Sequence, residues 1–389
     1  MLSQKLKVSL SVGFVGFCFA LGFGISLLIR FQLQTSHKND VAVKTAVASL
    51  ESKNSKRIPS TANKNAAKSI VIKAVGDVIP GTNYPNNRLP NNSSQLIPKP
   101  VRAYLGEADV LFGNFESSLT NYRYSAKDVS RGQVFAFRSP PEYAKLFSDV
   151  GFDVFNVANN HARDFGMVGF KDTMKNLKNA GIETLGHKNQ ILFLNKNNNK
   201  IAMIGFAPYE FYNSIHDLEA AKALVRKARK QANIVIISMH AGAEGTGALH
   251  TKNKTEYFYG ENRGNSIKFA RTMIDEGADL VLGHGPHVPR AMEMYKGKLI
   301  AYSLGNFLGY RTLSTVAQTG YSMILEVKMS PEGSVEKAKI IPVRMNRQGI
   351  PDIDQNFNTV QLVRYLNKSD FPNSPVKINS KGELLVAEQ

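Results

Sequence analysis

Cysteine is almost absent from this chain of 389 residues. The one cysteine, Cys18, lies in an apolar N-terminal segment, so the rest of the chain has neither a disulfide framework nor a thiolate metal ligand. Any metal must then be held by imidazole, carboxylate, amide or water. Those ligands favour Mn, Fe, Zn or Mg over a cysteine-rich structural zinc.

Acidic residues are also few, because 31 of them face 49 basic residues and the net charge is +18. A basic chain suits an acidic partner such as nucleic acid, anionic lipid or another polyanion. Much of the excess charge lies before residue 69, and the chain has no arginine-and-aromatic module for recognising bases. We therefore expect no nucleic-acid partner.

The N-terminal segment predicts a single-pass membrane anchor. Residues 8–29 carry no charge and are long enough to cross a bilayer as a helix, so we place the anchor at residues 1–30. A cleaved signal peptide is the alternative, since Ala20-Leu21-Gly22 offers a small-x-small site, but the apolar run continues beyond it. Residues 31–68 are rich in Lys, Ser, Asn and Thr and predict a flexible basic linker.

Residues 69–345 predict one α/β domain, and residues 346–389 are weakly patterned and predict a C-terminal tail. Strands alternate with helices and then follow one another, which favours an α/β sandwich with α+β character. The predicted strands are 69–75, 108–112, 152–158, a hairpin over 191–206, 233–239, 278–282, 298–303, 321–329 and 335–343. The predicted helices are 141–150, 166–180, 218–231 and 266–276.

Polar side chains follow the ends of several of these strands, where α/β proteins bind their ligands. They are Asp77, Asn114, Glu116, Asn160, His161, His240, Glu244, His284 and His287. Each alone has an ordinary explanation as a turn residue, a helix cap or a solvated charge. As a set they are difficult to explain by stability, because buried unpaired charge is costly. A divalent metal, or a pair that bridges a phosphoryl oxygen and activates a water, would remove that cost.

The motifs around these residues resemble those of a known family. They are Gly76-Asp77, Asn114-Phe115-Glu116, Asn159-Asn160-His161 with Asp164-Phe165-Gly166, His240-Ala241-Gly242-Ala243-Glu244, Gly283-His284-Gly285-Pro286-His287 and Tyr302-Ser303-Leu304-Gly305-Asn306-Phe307. Over roughly residues 69–310, their order is similar to that of the CapA family of capsule and poly-γ-glutamate synthesis proteins. The resemblance implies a metallophosphoesterase-type α/β/β/α sandwich of the calcineurin-like kind. It also implies one N-terminal transmembrane helix and a domain outside the cytoplasmic membrane.

The resemblance also implies roles for single residues. The metal ligands would be Asp77, Glu116, Asn160, His240, His284 and His287, with Glu116 as the bridging carboxylate. The catalytic pair would be His161, which protonates the leaving oxygen, and Asp164, which orients it. The pocket would be lined by Asn114, Glu244 and Asn306.

Two departures from the metallophosphoesterase pattern bear on activity. Ile79 occupies the position of the usual first-motif histidine, and Glu116 stands where an aspartate is usual. The resemblance therefore leaves open whether the site holds one divalent ion or two, with Mn, Fe or Zn expected, and whether it hydrolyses phosphoesters.

Two functions follow as hypotheses. One is a membrane-anchored, metal-dependent hydrolase or transferase that acts on a phosphoester or on an acidic polymer. The other is a non-catalytic accessory subunit that binds polyanion or partner subunits. In both, the expected partners are the cell membrane and other membrane subunits of a polymer synthase or exporter. Nucleic-acid cleavage has support only from the net charge.

Overall fold

Two β-sheets lie face to face in the computed structural model of the protein, which describes residues 66–386. The predicted anchor, residues 1–30, and nearly all of the predicted linker, residues 31–68, lie outside the described residues. Within 66–386, no helix combines the length and the apolar character that crossing a bilayer requires.

The helices and strands follow the chain in mixed order. The helices are α1 Lys99–Leu105, α2 Tyr143–Val150, α3 Gly166–Asn179, α4 Leu218–Arg229, α5 Ser266–Asp275 and α6 Asn358–Asp370. The strands up to the middle of the chain are β1 Ile70–Ile79, β2 Val110–Phe115, β3 Ser118–Leu119, β4 Arg138–Ser139, β5 Val154–Asn156, β6 Glu183–Leu185, β7 Leu192–Lys196, β8 Asn199–Ala207, β9 Asn213–Ser214 and β10 Ile234–His240. The later strands are β11 Glu256–Phe258, β12 Glu261–Gly264, β13 Leu280–His284, β14 Met292–Tyr295, β15 Lys298–Ala301, β16 Asn306–Gly309, β17 Tyr321–Met329, β18 Val335–Met345, β19 Pro351–Ile353, β20 Val376–Ile378 and β21 Glu383–Val386.

The first sheet has the strand order β20-β21-β18-β17-β1-β2-β5-β6, with β16 beside β1 and β19 beside β18. The second sheet has the order β14-β15-β13-β10-β8-β7, with β9 beside β8. The strands β1, β2, β5 and β6 run parallel, as do β8, β10, β13 and β15. The carboxyl ends of each parallel set therefore share one edge of their sheet.

Strand alternation builds three apolar layers. Ile72 of β1 and Ile236 of β10 contribute to a core between the sheets. Val75 faces an outer core with α1, α2 and α3, and Ile237 faces another with α4 and α5. Each such side chain contributes about 1.5–3 kcal/mol when fully buried. The layers confirm the predicted mixed α/β sandwich, in the order α/β/β/α.

Most regular elements lie where the sequence predicts them. The predicted hairpin over 191–206 is confirmed as the antiparallel pair β7 and β8. Asn197 and Asn198 form its turn with φ of 51° and 63°, the left-handed conformation that asparagine tolerates better than most residues.

The predicted end of the first strand at residue 75 is wrong. The strand β1 continues through Gly76 and Asp77 to Ile79, because β16 pairs with it from Asp77, which is aligned with Asn306, and then across a register shift to Ile79. A side chain at Gly76 is impossible without rearrangement, since a Cβ there would lie 1.9 Å from the carbonyl oxygen of Gly305. Asp77 is therefore held by the sheet itself, and not by a flexible loop.

The segment after residue 345, where the sequence predicts only a tail, contains further elements of the sandwich. The helix α6 buries Val360, Val363 and Leu366, which recur at helical spacing. The strands β20 and β21 extend the first sheet next to β18. The apolar runs of this segment are short, so the sequence alone does not predict that the segment packs against the sheets.

Candidate metal centre

The candidate site lies where the carboxyl ends of strands from both sheets come together. In the first sheet, Asp77 of β1 is aligned with Asn114 of β2 and with Asn306 of β16. In the second sheet, His240 of β10 is aligned with His284 of β13. Parallel register thus places side chains that are far apart in the chain at one level of the fold.

Asp77, Glu116 and His240 form the centre of this cluster. Each presents one ligand atom, and these atoms lie within 4.8 Å of one another. His240 Nδ1 lies 3.3 Å from Glu116 Oε1, and all three side chains are fully buried. His287 joins them, with its Nδ1 3.0 Å from Asp77 Oδ2 and its Nε2 3.8 Å from Glu116 Oε2.

Several buried polar atoms at the site have no hydrogen-bond partner among residues 66–386. They are both carboxylate oxygens of Glu116, His240 Nε2, His284 Nδ1 and Asn160 Oδ1, whereas Asp77 Oδ2 faces His287 Nδ1. Native proteins rarely leave buried donors and acceptors unpaired. Uncompensated buried charge costs several kcal/mol. Carboxylate oxygens and imidazole nitrogens are ligands for divalent ions, so this donor set fits such a cation.

The surrounding bonds orient these donors. His284 Nε2 lies 3.2 Å from the carbonyl oxygen of Val75, so a proton on Nε2 leaves the Nδ1 lone pair for a ligand. Asn114 Nδ2 donates to Asp77 Oδ1 over 2.8 Å. Asn114 Oδ1 accepts from Asn156 at 2.8 Å and from Asn159 at 3.2 Å. This amide ladder directs the second oxygen of Asp77 into the cluster.

His161 and Asp164 form a pair beside the cluster. His161 Nδ1 lies 2.9 Å from Asp164 Oδ2, and that oxygen also accepts from the backbone nitrogen of Phe137 over 2.7 Å. Lys127 Nζ lies 2.6 Å from Asp164 Oδ1 and donates to the carbonyl oxygen of Asn160 over 3.0 Å. Burial, together with the charge of Lys127, lowers the pKa of His161, so the neutral imidazole is favoured.

Without a bound cation, the buried groups of the cluster shift one another's pKa values. Burial and the charge of Asp77 raise the pKa of Glu116 well above its ordinary value. Burial would raise the pKa of Asp77 too, but its hydrogen bond and charge interaction with His287 lower it to about 2. Burial would lower the pKa of His287, but the carboxylates of Glu116 and Glu244 raise it to about 10. An imidazolium thus supplies positive charge among the carboxylates.

An outer layer of charge supports the loop after β10. Arg263, which is buried, donates to Glu244 Oε1 over 2.6 Å and to Glu261 over 3.0 Å. Glu244 Oε2 then lies 3.7 Å from His287 Nε2. Burial and the charge of Arg263 lower the pKa of His240 well below its ordinary value, which keeps that imidazole neutral.

The structure brings the predicted residues to one edge of the sandwich. Short contacts link Asp77, Asn114, Glu116, His240, Glu244, His287 and Asn306, whose Oδ1 lies 2.8 Å from His287 Nδ1. His284 lies on the strand beside His240, and its charge is near enough to lower the pKa of Asp77. Asn160, His161 and Asp164 form the neighbouring group around Lys127. The roles of these residues as ligands, acid and pocket lining stay predictions.

Sequence reasoning missed four residues of the site: Lys127, Asn156, Asn159 and Arg263. Asn156 and Asn159 stood within or beside a quoted motif, and their amide spacing near a strand end was a usable signal. Lys127 lies in an irregular loop and Arg263 on a short hairpin strand, where no periodic pattern marks a buried partner. Ile79, at the usual first-motif histidine position, is buried in the core.

Sequence comparison with known proteins finds one family model and relatives that are named for the same process. Residues 71–311 match the family model described as "Bacterial capsule synthesis protein PGA_cap". The PGA biosynthesis protein CapA of Bacillus subtilis (strain 168) is 29% identical over 254 residues, covering 60% of this chain and 62% of that protein. The capsule biosynthesis protein CapA of Bacillus anthracis is 27% identical over 266 residues, covering 61% of this chain and 59% of that protein. The alignments thus span about three-fifths of the length of these relatives.

Similarity to solved structures is weak. A 5′-nucleotidase precursor from Thermus thermophilus aligns with 77% of this chain and 59% of its own, at 12% identity and a TM-score of 0.41. The α/β/β/α arrangement follows from the two sheets of this chain and the three apolar cores around them.

Proposed function

Because the chain belongs to the family of bacterial capsule synthesis proteins, we propose that it acts outside the cytoplasmic membrane in the synthesis or export of a poly-γ-glutamate-type polymer. An N-terminal anchor would hold the domain at the membrane, beside other subunits of a synthase or exporter. The domain itself would carry a metal-dependent hydrolase site. The observation behind the hydrolase is the set of buried, unpartnered carboxylate and imidazole atoms where the two sheets meet.

The residues of the site would divide the work. A divalent ion such as Mn, Fe or Zn, when bound, supplies Lewis-acid stabilisation of a phosphoryl or carbonyl oxygen. Asp77, Glu116, His240 and His284 would hold it, with His287 and Asn160 beside them. His161 would give the leaving oxygen a proton from Nε2 in its imidazolium form, which Asp164 at Nδ1 stabilises against the burial and the Lys127 charge that favour the neutral ring. Lys127 would hold the Asp164 carboxylate in place.

Metal analysis and turnover by the purified full chain test this proposal. We expect the chain to bind Mn²⁺ and to cleave a phosphodiester or an acidic polymer, and we expect His240→Ala to lose both properties. Lys227→Ala, an exposed substitution on α4, is the matched control and should keep both. A metal-loaded chain that is inert towards a broad panel of phosphoesters and acidic polymers would rule out the hydrolase.

A non-catalytic accessory role is the second candidate. It is favoured by Ile79, which is buried where the metallophosphoesterase pattern has a histidine. A relative in Mycobacterium tuberculosis (strain ATCC 25618 / H37Rv), 24% identical over 315 residues and covering 69% of this chain and 77% of that protein, is named a probable polyglutamine synthesis accessory protein. Polymer export that survives alanine at His240 and His284 but fails on deletion of the domain would support this role over the hydrolase.

A further inference from the structure

A long irregular segment, which we call the basic loop, connects β3 to the first residue of β4 over residues 120–138. Loops longer than about 12–15 residues without regular structure are uncommon in compact domains and are often functional. The inner side of the basic loop is fixed to the catalytic pair. Ala126 N donates to the carbonyl oxygen of Asp164 over 2.8 Å, and the ring of Phe137 packs on His161 with centroids 4.5 Å apart.

The outer side of the basic loop exposes aromatic rings. Tyr124 is 67% exposed and Phe135 is 53% exposed, while Tyr122 packs edge-on against Tyr124 at 5.6 Å. Exposed apolar groups that lie together on a protein surface often mark a binding site. These rings lie on the loop that contacts His161 and Asp164, so they are available to a ligand bound there.

Two cations of the basic loop have no carboxylate partner within the described residues. Lys127 pairs with Asp164 and Arg131 with Asp128, but within the described residues neither Arg123 nor Arg138 forms an ion pair. Arg123 is exposed. Arg138 is half-buried and donates only to uncharged oxygens, those of Asn83 and the backbone of Tyr122.

The Arg138 guanidinium lies beside the backbone next to Arg123, because its Nη1 donates to the carbonyl oxygen of Tyr122, the preceding residue, over 3.0 Å. Burial lowers the pKa of Arg138, Tyr84 opposes that shift, and the positive charge of Arg123 lowers the pKa further. The ring of Phe165, the residue after Asp164, lies 5.4 Å from the Arg138 guanidinium. Arg138 therefore packs against the segment that carries Asp164.

The basic helix α4 shows the contrast. Its Lys222, Arg226 and Arg229 each face a carboxylate: Glu219, Glu276 and Asp279, respectively. The positive charge of α4 is therefore largely satisfied within the protein. The charge of Arg123 and Arg138 is not, so the basic loop presents unpaired positive charge beside the candidate site, which suits an external anion.

We propose that the basic loop binds an extended polycarboxylate chain beside the metal centre, with Arg123 and Arg138 on its carboxylates and Tyr124 and Phe135 on its methylene groups. Guanidinium groups pair with carboxylates through two parallel hydrogen bonds, and aromatic rings cover apolar stems. The inference deepens the proposed function, because it gives the substrate of that site a second contact. It does not require a metal, since the loop binds the polymer outside the cluster.

Binding of fluorescein-labelled poly-L-glutamate to the full chain, in detergent and excess chelator, tests the loop alone. Arg123→Glu should weaken binding about tenfold, as expected for the loss of one charge-assisted contact. Arg138→Gln should weaken it similarly. Lys227→Glu, which makes the same charge change as Arg123→Glu on exposed α4, should bind like the parent. Arg123→Glu is the main variant because this side chain makes no hydrogen bond among the described residues and its loss should not unfold the chain.

Each outcome decides the proposal. Equal affinity for the parent, Arg123→Glu and Lys227→Glu would remove the basic loop as the binding surface. Tighter binding of inorganic polyphosphate or single-stranded DNA than of polyglutamate would overturn the polycarboxylate. His240→Ala should keep polymer binding by the basic loop. If the metal site proves inactive, the hydrolase proposal is wrong, but the proposal that the basic loop binds the polymer is unaffected.

Discussion

Glu116→Gln should change the stability of the protein in opposite directions with and without a divalent ion. The Glu116 side chain is fully buried, and in the described part of the chain neither of its carboxylate oxygens has a hydrogen-bond partner. Because burial raises the pKa of Glu116 well above its ordinary value, the metal-free protein must either bury the charge or take up a proton at neutral pH, and either costs several kcal/mol. The amide that replaces the carboxyl group, with its own unpaired donor, costs about 1–3 kcal/mol. The variant should therefore gain about 1–2 kcal/mol in chelator, which raises Tm by about 1.5–3 °C for a domain of this size.

With the ion present the order reverses. A ligand at a hundred times its Kd stabilises the native state by about 2.7 kcal/mol, and Glu116→Gln should lose most of that gain because a carboxylate proposed to hold the ion is missing. Thermal unfolding followed by circular dichroism, in chelator and in Mn²⁺, measures both effects on the same two proteins.

Glu256→Gln is the matched control. Glu256 accepts from both terminal nitrogens of the buried Arg290, at 2.9 Å and 2.7 Å. Breaking that pair should cost about 3 kcal/mol in either buffer, because a buried cation loses its partner. If Glu116→Gln destabilised the protein in chelator as Glu256→Gln does, the oxygens of Glu116 would be satisfied in the metal-free protein and the reasoning would be wrong.

Three further predictions concern the frame around the centre. His240→Ala should abolish high-affinity Mn²⁺ binding, which isothermal titration calorimetry measures, and unchanged binding would show that the imidazole is not a ligand. Asn114→Ala should weaken Mn²⁺ binding about 10–100-fold in the same titration, because Asp77 loses the bond that orients it; an unaltered Kd would remove the amide ladder from the site. Gly283→Ala should prevent folding, since its Cβ would lie 2.2 Å from the carbonyl oxygen of Tyr302, whereas Gly247→Ala meets no atom within 4 Å and should leave Tm unchanged.

Much of the site was predictable because parallel strands impose a common level on residues that are distant in the chain. Polar residues at strand ends identified Asp77, Glu116 and His240 without coordinates, and their meeting required only that the strands be parallel and adjacent. The sandwich class followed in the same way, from the order of strands and helices. What the pattern failed to give was the end of β1, because pairing with β16 extends the strand past a polar residue.

The remaining residues were not predictable for a different reason. Lys127 and Arg263 reach the site from segments whose path depends on tertiary contacts, and a single charge in such a segment looks like any solvated charge. The helix α6 was concealed by its polar outer face, although Val360 and Val363 carry its apolar stripe. Hydrophobic periodicity in the sequence predicts elements that bury a continuous face. It does not predict isolated ion pairs between residues far apart in the chain.

The donors of the centre come from both halves of the sandwich: Asp77 and Glu116 from the first sheet, His240 and His284 from the second. A cation held by all four would therefore cross-link the two layers at one edge. The span of that cross-link is set by the thickness of the inner core, to which Ile72 and Ile236 belong. Substitutions deep in that core, far from any ligand, should then tune how tightly the ion is bound.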